Sequence, residues 1–325
     1  MRARERIAIA CVAAAVVACK KQERPQVAFL LSTMQQDRYQ KDVRFFESRA
    51  TELGLSVITL AADDDATKQS AQVEAMLAKG VKVLVVQPTD SEAAATYVHL
   101  AHEAGAKIIA YDRAIVAPDV DYYVSHDSYR VGVLQAQAAL AATHNKGKYV
   151  ILAGPSGHSV ATEITRGYKD TLAPYIARGE VELVLERTHA TWSAELARQS
   201  VQDALARGHV DAILANNSSM ARGAVEAVSA AALDHVFIAG ADADAANVNL
   251  ICQGKQTIEV LKNIPLLART AAETARKLYD GEAPAPIAAV RVDVVTRDNV
   301  KPLLVDSGFL TANELPACNR LAAVR

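Results

Sequence analysis

The sequence carries little net charge and few aromatic residues. Its formal net charge is −2, and only 5% of its 325 residues are aromatic. A chain without an excess of either sign has no overall field that would attract nucleic acid or an anionic membrane. Hydrophobic residues make up 51% of the chain and charged residues 22%, a globular composition without disordered or fibrous bias. The length allows one large core or two smaller ones.

Signatures of catalysis and of metal binding are also lacking. The chain has no GxSxG, no glycine-rich phosphate loop and no GxGxxG, the short motifs that mark serine hydrolases, nucleotide hydrolases and dinucleotide-binding enzymes. It has no CxxC pair, and its histidines are scattered without the spacing of metal ligands. We therefore predict a protein that is not an enzyme and holds no metal or cofactor.

The N-terminus has the pattern of an export signal. Three arginines lie within the first six residues, and an apolar segment follows at 7–18. This segment is too short to span a membrane as a mature helix. It ends in "VVAC", which resembles a bacterial lipobox, so we predict a signal peptide at 1–18, lipidation of Cys19 and a tether at 19–25. The alternative is an ordinary secretory signal in which Cys19 occurs by chance.

Export places the mature protein in the periplasm or at the cell surface, with the lipid as its only membrane contact. Two cysteines, Cys252 and Cys318, remain in the mature domain, whereas Cys11 belongs to the signal. An oxidising compartment permits a disulfide between them. Two buried, unpaired thiols are the alternative, and the sequence leaves both open because it does not show proximity.

Apolar runs alternate with amphipathic segments from residue 25 onward. "QVAFLLS" has the composition of a buried strand, and the helical spacing that follows it stops at Gly54. About five such units form a first cluster and about five more a second one. This pattern predicts an α/β protein of two doubly wound parallel-sheet lobes, since one sheet of so many strands would be unusual. Pro174 is expected to bend or break its helix.

Polar side chains follow many of the predicted strands. In open parallel sheets, ligands bind beyond the carboxyl ends of the strands. "AKIIAYDRAI" is the clearest case, because the apolar run ends in Asp112 and Arg113. Carboxylate, amide and guanidinium groups suit sugar hydroxyls, and aromatic rings pack against the apolar face of a sugar. The alternative is helix capping, which does not require arginine, lysine or tryptophan.

Several of these segments together resemble one family. "DRYQKD", "YDRAI", "DYYVSHD", "ANNSSMARGAVEA", "GADAD" and "GKQTIEVLKN" occur in this order and are similar to successive signatures of the D-xylose-binding proteins, from about residue 26 to 310. The resemblance implies the type I fold of periplasmic binding proteins, a two-lobed clamshell with a three-strand hinge. It also implies a monosaccharide in the cleft, an ABC transporter permease as partner, and a monomer.

The resemblance also implies the lobes and the ligand residues. The N-terminal lobe would comprise 26–127 with 263–290, and the C-terminal lobe 128–262 with 291–325. Asn216 is the alternative to Asn217 as the cleft asparagine. The predicted ligand-binding residues are Arg38, Tyr39, Asp112, Arg113, His158, Trp192, Asn217, Asp242 and Lys262.

Departures from the family concentrate in the C-terminal lobe. The segment "PSGHSVA" has His158, Ser159 and Val160 where xylose binders tend to have aspartate and asparagine ligands. "THATW" keeps one tryptophan, Trp192, where the family tends to have two. The ligand is therefore predicted to be xylose, another pentose or hexose, or a related polyol.

Two alternatives keep the clamshell fold and change its use. A transcription factor of the lac-repressor type needs an N-terminal helix-turn-helix, and the predicted export signal occupies that place. A sugar sensor that presents its ligand to a membrane receptor or sensor kinase stays open, because the sequence does not distinguish it from a transport component.

Overall fold

The computed structural model describes residues 26–283 and 289–318. The predicted signal peptide at 1–18, the lipidated Cys19 and the tether at 19–25 lie outside these residues. Within them the chain forms two α/β lobes with two separate sheets. No helix of the described part is both long and apolar enough to cross a membrane.

The first lobe is built on a parallel five-stranded sheet of order β2-β1-β3-β4-β5. Its strands are β1 (Val27–Leu31), β2 (Val57–Ala61), β3 (Val83–Val86), β4 (Lys107–Tyr111) and β5 (Tyr122–Val124), and its helices are α1 (Asp37–Glu52), α2 (Ala66–Ala78), α3 (Ala95–Glu103) and α9 (Ile264–Tyr279). Alternate residues of each strand face opposite sides. Phe29 packs against α1 and α9, whereas Leu30 packs against α2 and α3. The strands are continuously apolar because helices cover both faces of the sheet.

The second lobe has a six-stranded sheet of order β11-β10-β9-β8-β6-β7, in which only the β10–β11 pair is antiparallel. Its strands are β6 (Gly147–Ala153), β7 (Val181–Thr188), β8 (Ala212–Ala215), β9 (Phe237–Ala241), β10 (Ile258–Lys262) and β11 (Val292–Val295), and its helices are α4 (Ser128–Ala142), α5 (Ser159–Ala177), α6 (Ala194–Leu205), α7 (Ser218–Ala230) and α8 (Ala245–Cys252). Helices α4 and α5 cover one face and α6 and α7 the other. The predicted pair of doubly wound lobes is confirmed.

The chain crosses between the lobes after β5, after β10 and before β11. Two of these crossovers contact each other, since Val290 N–H donates to Ser125 O at 2.8 Å and Asp127 N–H donates to Val290 O at 3.4 Å. This arrangement is the three-strand hinge of the type I periplasmic binding protein fold. From these crossovers we propose the lobe division 26–127 with 263–290 and 128–262 with 291–325.

The expected break at Pro174 is wrong. Helix α5 runs without interruption from Ser159 to Ala177 and contains Pro174. The proline lies in the last turns of the helix, where it removes a single backbone hydrogen bond. Buried Tyr168 and Leu172 fix the helix on the sheet just before it, so packing outweighs this loss.

A disulfide joins Cys252 at the end of α8 to Cys318 in the C-terminal segment. Both residues belong to a separate apolar cluster of the second lobe that also contains Phe309 and Leu315. The bond ties the last described residues of the chain to the helix that follows the loop 242–244. Of the two alternatives that the sequence left open, the structure has the disulfide.

Candidate functional site: a cleft between the lobes

The carboxyl ends of both sheets face each other across the hinge and enclose a small cavity. The residues that line it come from both lobes. They are Gln36, Arg38, Tyr39, Asp112, Arg113, Val160, Trp192, Asn217, Asp242 and Lys262. Of the predicted ligand-binding residues, only His158 is not among them, and its ring stacks on Trp192 with a centroid distance of 5.9 Å. Tertiary folding therefore brings the whole predicted set together.

Asp112 is held at the tip of β4 by its backbone and by its carboxylate. Its φ of 60° lies in the left-handed region, which aspartate tolerates better than most residues. Its N–H donates to Val124 O at 2.8 Å, and its carbonyl accepts from Ser125 Oγ at 2.7 Å. Gln87 Nε2 donates to Oδ2 at 3.0 Å. The side chain therefore has a fixed position before any ligand is considered.

Charge keeps Asp112 ionised despite its burial. Burial alone would raise the pKa of its carboxyl. The guanidinium of Arg38, with Nη2 3.1 Å from Oδ1, together with His126 and Lys262, outweighs burial and holds the pKa well below its usual range. The cleft thus presents a permanent carboxylate, a group that accepts hydrogen bonds and does not donate them.

Arg38 connects the carboxylates of both lobes. Its Nε is 3.4 Å from Asp42 Oδ2, and its Nη1 is 3.5 Å from Asp242 Oδ1 across the cleft. Tyr111 donates its hydroxyl hydrogen to Asp42. Burial raises the pKa of Asp42 to about 6, although Arg38 opposes this. Asp42 therefore anchors the guanidinium from behind while Arg38 faces the cavity.

Asp242 is the carboxylate of the second lobe and follows β9. Its φ of 106° and that of Ala243, 59°, both lie in the left-handed region. Its Oδ1 is 2.8 Å from Lys262 Nζ, yet the angles at this atom satisfy no hydrogen bond. The two groups attract each other by charge, and the carboxylate keeps acceptor capacity toward the cavity.

Arg113 forms the remaining cationic wall of the cleft. It donates to Pro88 O at 3.0 Å and to Tyr39 Oη at 3.1 Å, and its Nη1 is 3.4 Å from His158 Nε2. Arginine is always a donor, so this histidine nitrogen is an acceptor. Burial, followed by the charge of Arg113, lowers the pKa of His158 to about 3. His158 is therefore neutral at physiological pH.

The structure distinguishes the two adjacent asparagines. Asn216 is fully buried, and its Oδ1 accepts from Gly154 N–H at 2.9 Å, so it joins the ends of β6 and β8. Asn217 lines the cavity and also caps α7 by accepting from Met220 N–H at 2.9 Å. Asn217 is thus the asparagine in contact with the cleft, and helix capping fixes its side chain there.

Comparison with known proteins agrees with this arrangement. The family model described as "Periplasmic binding protein domain" matches residues 27–283. The chain belongs to the periplasmic binding protein family. It is 33% identical over 305 residues to the D-xylose-binding periplasmic protein of Escherichia coli (strain K12), with 89% of this chain and 92% of that protein covered. It is 35% identical over 260 residues to the D-xylose-binding periplasmic protein of Haemophilus influenzae (strain ATCC 51907 / DSM 11121 / KW20 / Rd), with 79% and 78% covered.

A solved structure shares both the fold and part of the sequence. It is the carbohydrate transporter solute binding protein from Chloroflexus aurantiacus in complex with D-glucose, with a TM-score of 0.84 and 30% identity, and with 90% of this chain and all of that chain covered. The identity and the coverage indicate that the two-lobed architecture is common to both chains. The proteins similar to this periplasmic binding protein thus include two that are named for a pentose and one whose structure contains a hexose.

Two buried residues that contact the charged residues of the cleft, Asp42 and His126, were not predicted from the sequence. Asp42 lies one helical turn after Arg38 in α1 and is fully buried. Its signal was an arginine–aspartate pair at i,i+4 spacing on a helix face, a pattern more often found at the surface. His126 was given no role, yet its Nδ1 lies 4.0 Å from Asp112 Oδ1. Nothing in its local sequence indicated that proximity.

In the described part of the chain, histidines, cysteines, aspartates and glutamates form no group of three or more that could hold a metal ion. The carboxylates of the cleft are instead close to arginine and lysine. Asp112 faces Arg38, and Asp242 faces Lys262.

Proposed function

We propose that this protein binds one neutral monosaccharide, xylose or a related pentose or hexose, between its two lobes. It acts outside the cytoplasm as a monomer and delivers the sugar to the permease of an ABC transporter. It performs no catalysis and needs no cofactor. This proposal rests on family membership for the transport role and on the chemistry of the cleft for the ligand.

The single observation that carries the ligand class is a set of three buried polar atoms in the cleft that make no hydrogen bond within the described residues. They are Arg38 Nη2 and Asp242 Oδ1, which have ion-pair partners only, and Trp192 Nε1. A buried polar group without a partner costs about 1–3 kcal/mol. Each sugar hydroxyl both donates and accepts, so one ligand can satisfy the donors Arg38 and Trp192 and the acceptor Asp242.

The charges of the cleft favour a neutral ligand. Among the described residues, its buried cations are Arg38, Arg113 and Lys262, and its buried carboxylates are Asp42, Asp112 and Asp242. These six charges balance when Asp42 is ionised. An acidic or phosphorylated sugar would bring an uncompensated charge into a buried site, which is costly. Tyr39 and Trp192 supply rings for the apolar face of a pyranose.

Calorimetric titration tests the ligand class directly. We expect D-xylose or D-glucose to bind the purified protein, and other neutral pentoses, hexoses or polyols to bind with graded affinity. The matching sugar acids, xylonate and glucuronate, should bind at least about 10-fold more weakly, a difference of about 1.4 kcal/mol. Recovery of the sugar unchanged after incubation would support the absence of catalysis. No binding of any neutral sugar at millimolar concentration would contradict the proposal.

The lipid anchor needs its own test because Cys19 lies outside the described residues. We propose that the export signal is cleaved before Cys19 and that the cysteine carries the lipid. Mass spectrometry of the protein expressed with its leader should show a lipid-modified N-terminal cysteine. A Cys19→Ser variant should lose this mass and leave the membrane fraction. A mature N-terminus elsewhere, without lipid, would indicate an ordinary secretory signal.

A further inference from the structure

Glu259 is a fully buried carboxyl group in the second lobe, on the strand that leads to Lys262. It is 0% exposed. Its Oε1 accepts from Gln256 Nε2 at 2.6 Å, and its Oε2 accepts from Ala243 N–H at 3.0 Å. A Cβ on the neighbouring Gly240 would lie 2.1 Å from Oε1. The absence of a side chain at Gly240 therefore provides the space that the Glu259 carboxyl group occupies.

The hydrogen bonds around Ser218 favour a protonated Glu259. Ser218 Oγ lies 2.9 Å from Ala241 O and 2.8 Å from Glu259 Oε2, and it accepts from Asp244 N–H at 3.3 Å. A serine hydroxyl has one hydrogen to donate, whereas a carbonyl oxygen and a carboxylate oxygen can only accept. Ser218 Oγ therefore cannot donate to both of them. A carboxylic acid supplies the second hydrogen to Ser218 Oγ, so that Ser218 donates to Ala241 O and both contacts are satisfied.

This network holds the backbone loop that presents Asp242. Glu259 binds Ala243 N–H, and Ser218 binds the carbonyl before the loop and the N–H of Asp244 after it. Asp242 and Ala243 both have positive φ angles, 106° and 59°. Such conformations cost energy in residues other than glycine and persist where surrounding contacts impose them. At the centre of this loop, the contact that imposes the conformation is the hydrogen bond from Ala243 N–H to Glu259.

We propose that protonated Glu259 is a positioning residue that sets the ligand-binding geometry of Asp242 and makes sugar affinity fall at alkaline pH. Loss of its proton places an uncompensated negative charge beneath the loop and leaves the one hydrogen of Ser218 Oγ between two acceptors, Glu259 Oε2 and Ala241 O. Ser218 then donates to the carboxylate, and the carbonyl of Ala241 before the loop loses its donor, so the backbone that aims Asp242 at the cleft is rearranged. This inference rests on the proposed function, because it assigns a role toward the same sugar site.

The surroundings of Glu259 supply little positive charge. The negative charge of Asp244, in the loop before α8, raises the pKa of Glu259 further. Asp244 also forms an ion pair with Arg222 of α7 at 3.2 Å. Tyr168 of α5 is neutral, since burial raises the pKa of its hydroxyl, and that hydroxyl donates to Gln135. Lys262, on the same strand, is directed to Asp242. Burial first, with Asp244 adding to it, raises the pKa of Glu259 to about 8.

The test is the pH dependence of sugar affinity in the wild type and in Glu259→Gln. The amide has nearly the shape of the acid and does not titrate; its NH2 group donates to Ser218 but no longer accepts from Ala243 N–H. We expect the wild-type Kd to rise about 10-fold or more between pH 7 and pH 9.5, and the Kd of Glu259→Gln to stay nearly constant. Glu74→Gln, an exposed glutamate of α2, is the matched control and should follow the wild type.

The pH dependence of the unfolding free energy, measured without sugar, tests the protonation of Glu259 independently of the proposed sugar binding. A folded-state pKa raised from 4.5 to about 8 means that the unfolding free energy of the wild type falls as the pH rises through this window. Glu259→Gln should lack this contribution. If the unfolding free energy falls with rising pH as expected but no sugar binds, the proposed function is wrong and the protonated state of Glu259 is still supported. If Glu259→Gln loses affinity at alkaline pH as the wild type does, the positioning role is wrong.

Discussion

The two lobes each place one carboxylate at a strand tip, in left-handed backbone, but support it differently. Asp112 of the first lobe accepts a hydrogen bond from Gln87 and forms an ion pair with Arg38. Asp242 of the second lobe faces Lys262, while its loop is held from beneath by the neutral network of Glu259. One half of the site is therefore fixed at the side chain, and the other half is fixed through its backbone.

This difference bears on how much each carboxylate contributes to stability. Breaking a buried charge pair leaves the partner without compensation and destabilises the fold. Asp112 has such a pair in its own lobe with Arg38, and Asp242 has one in its own lobe with Lys262. Asp112 also accepts a hydrogen bond from Gln87, whereas no side chain of the described residues donates one to Asp242. We therefore expect substitution of either carboxylate to weaken sugar binding, and substitution of Asp112 to lower stability more than substitution of Asp242.

The largest expected effect is on the stability of the second lobe. The double variant Cys252→Ser with Cys318→Ser removes a crosslink between residues 66 positions apart. Loop-closure entropy predicts a loss of about 4 kcal/mol in unfolding free energy. Denaturant unfolding should measure it, with the sugar Kd unchanged below the transition. An equal stability in both forms would show that the C-terminal segment is held by packing alone.

The two carboxylates provide the direct comparison. Asp112→Asn keeps a residue that tolerates left-handed backbone but removes the charge that faces Arg38. We expect an unfolding free energy lower by about 3 kcal/mol and sugar affinity lower by about 2 kcal/mol. Asp242→Asn breaks the buried pair with Lys262, so it should lower affinity by a similar amount and should also lower stability, but by less than Asp112→Asn, because no side chain of the described residues donates a hydrogen bond to Asp242. Equal stability losses, measured by denaturant titration, would remove the distinction between the lobes.

The aromatic residues give the smallest effect. Tyr39 Oη already accepts from Arg113, whereas Trp192 Nε1 has no partner among the described residues. Trp192→Phe should therefore weaken sugar binding by about 1 kcal/mol, or about 5-fold, without lowering stability. Tyr39→Phe, the matched variant of the first lobe, should lower the melting temperature because it removes a partner of Arg113. The opposite pattern would mean that the tryptophan is structural.

The sequence by itself determined the fold class and much of the first half of the site. Apolar strands and amphipathic helices follow from local patterns, and the tip of β4 at Asp112 and Arg113 was visible as the point where an apolar run meets two charges. The ordered motifs also identified Asp242 and Lys262. These features are local, because strand burial and strand ends are encoded in neighbouring residues.

Only the tertiary structure decided what depends on distant pairs. It joined Cys252 to Cys318, placed Asn217 instead of Asn216 at the cleft, and brought Asp42 behind Arg38. It also revealed Glu259 beneath the loop of Asp242, where burial raises the pKa of the carboxyl group to about 8. Burial and proximity between segments far apart in sequence set these protonation states and contacts, and no short stretch of the chain encodes either.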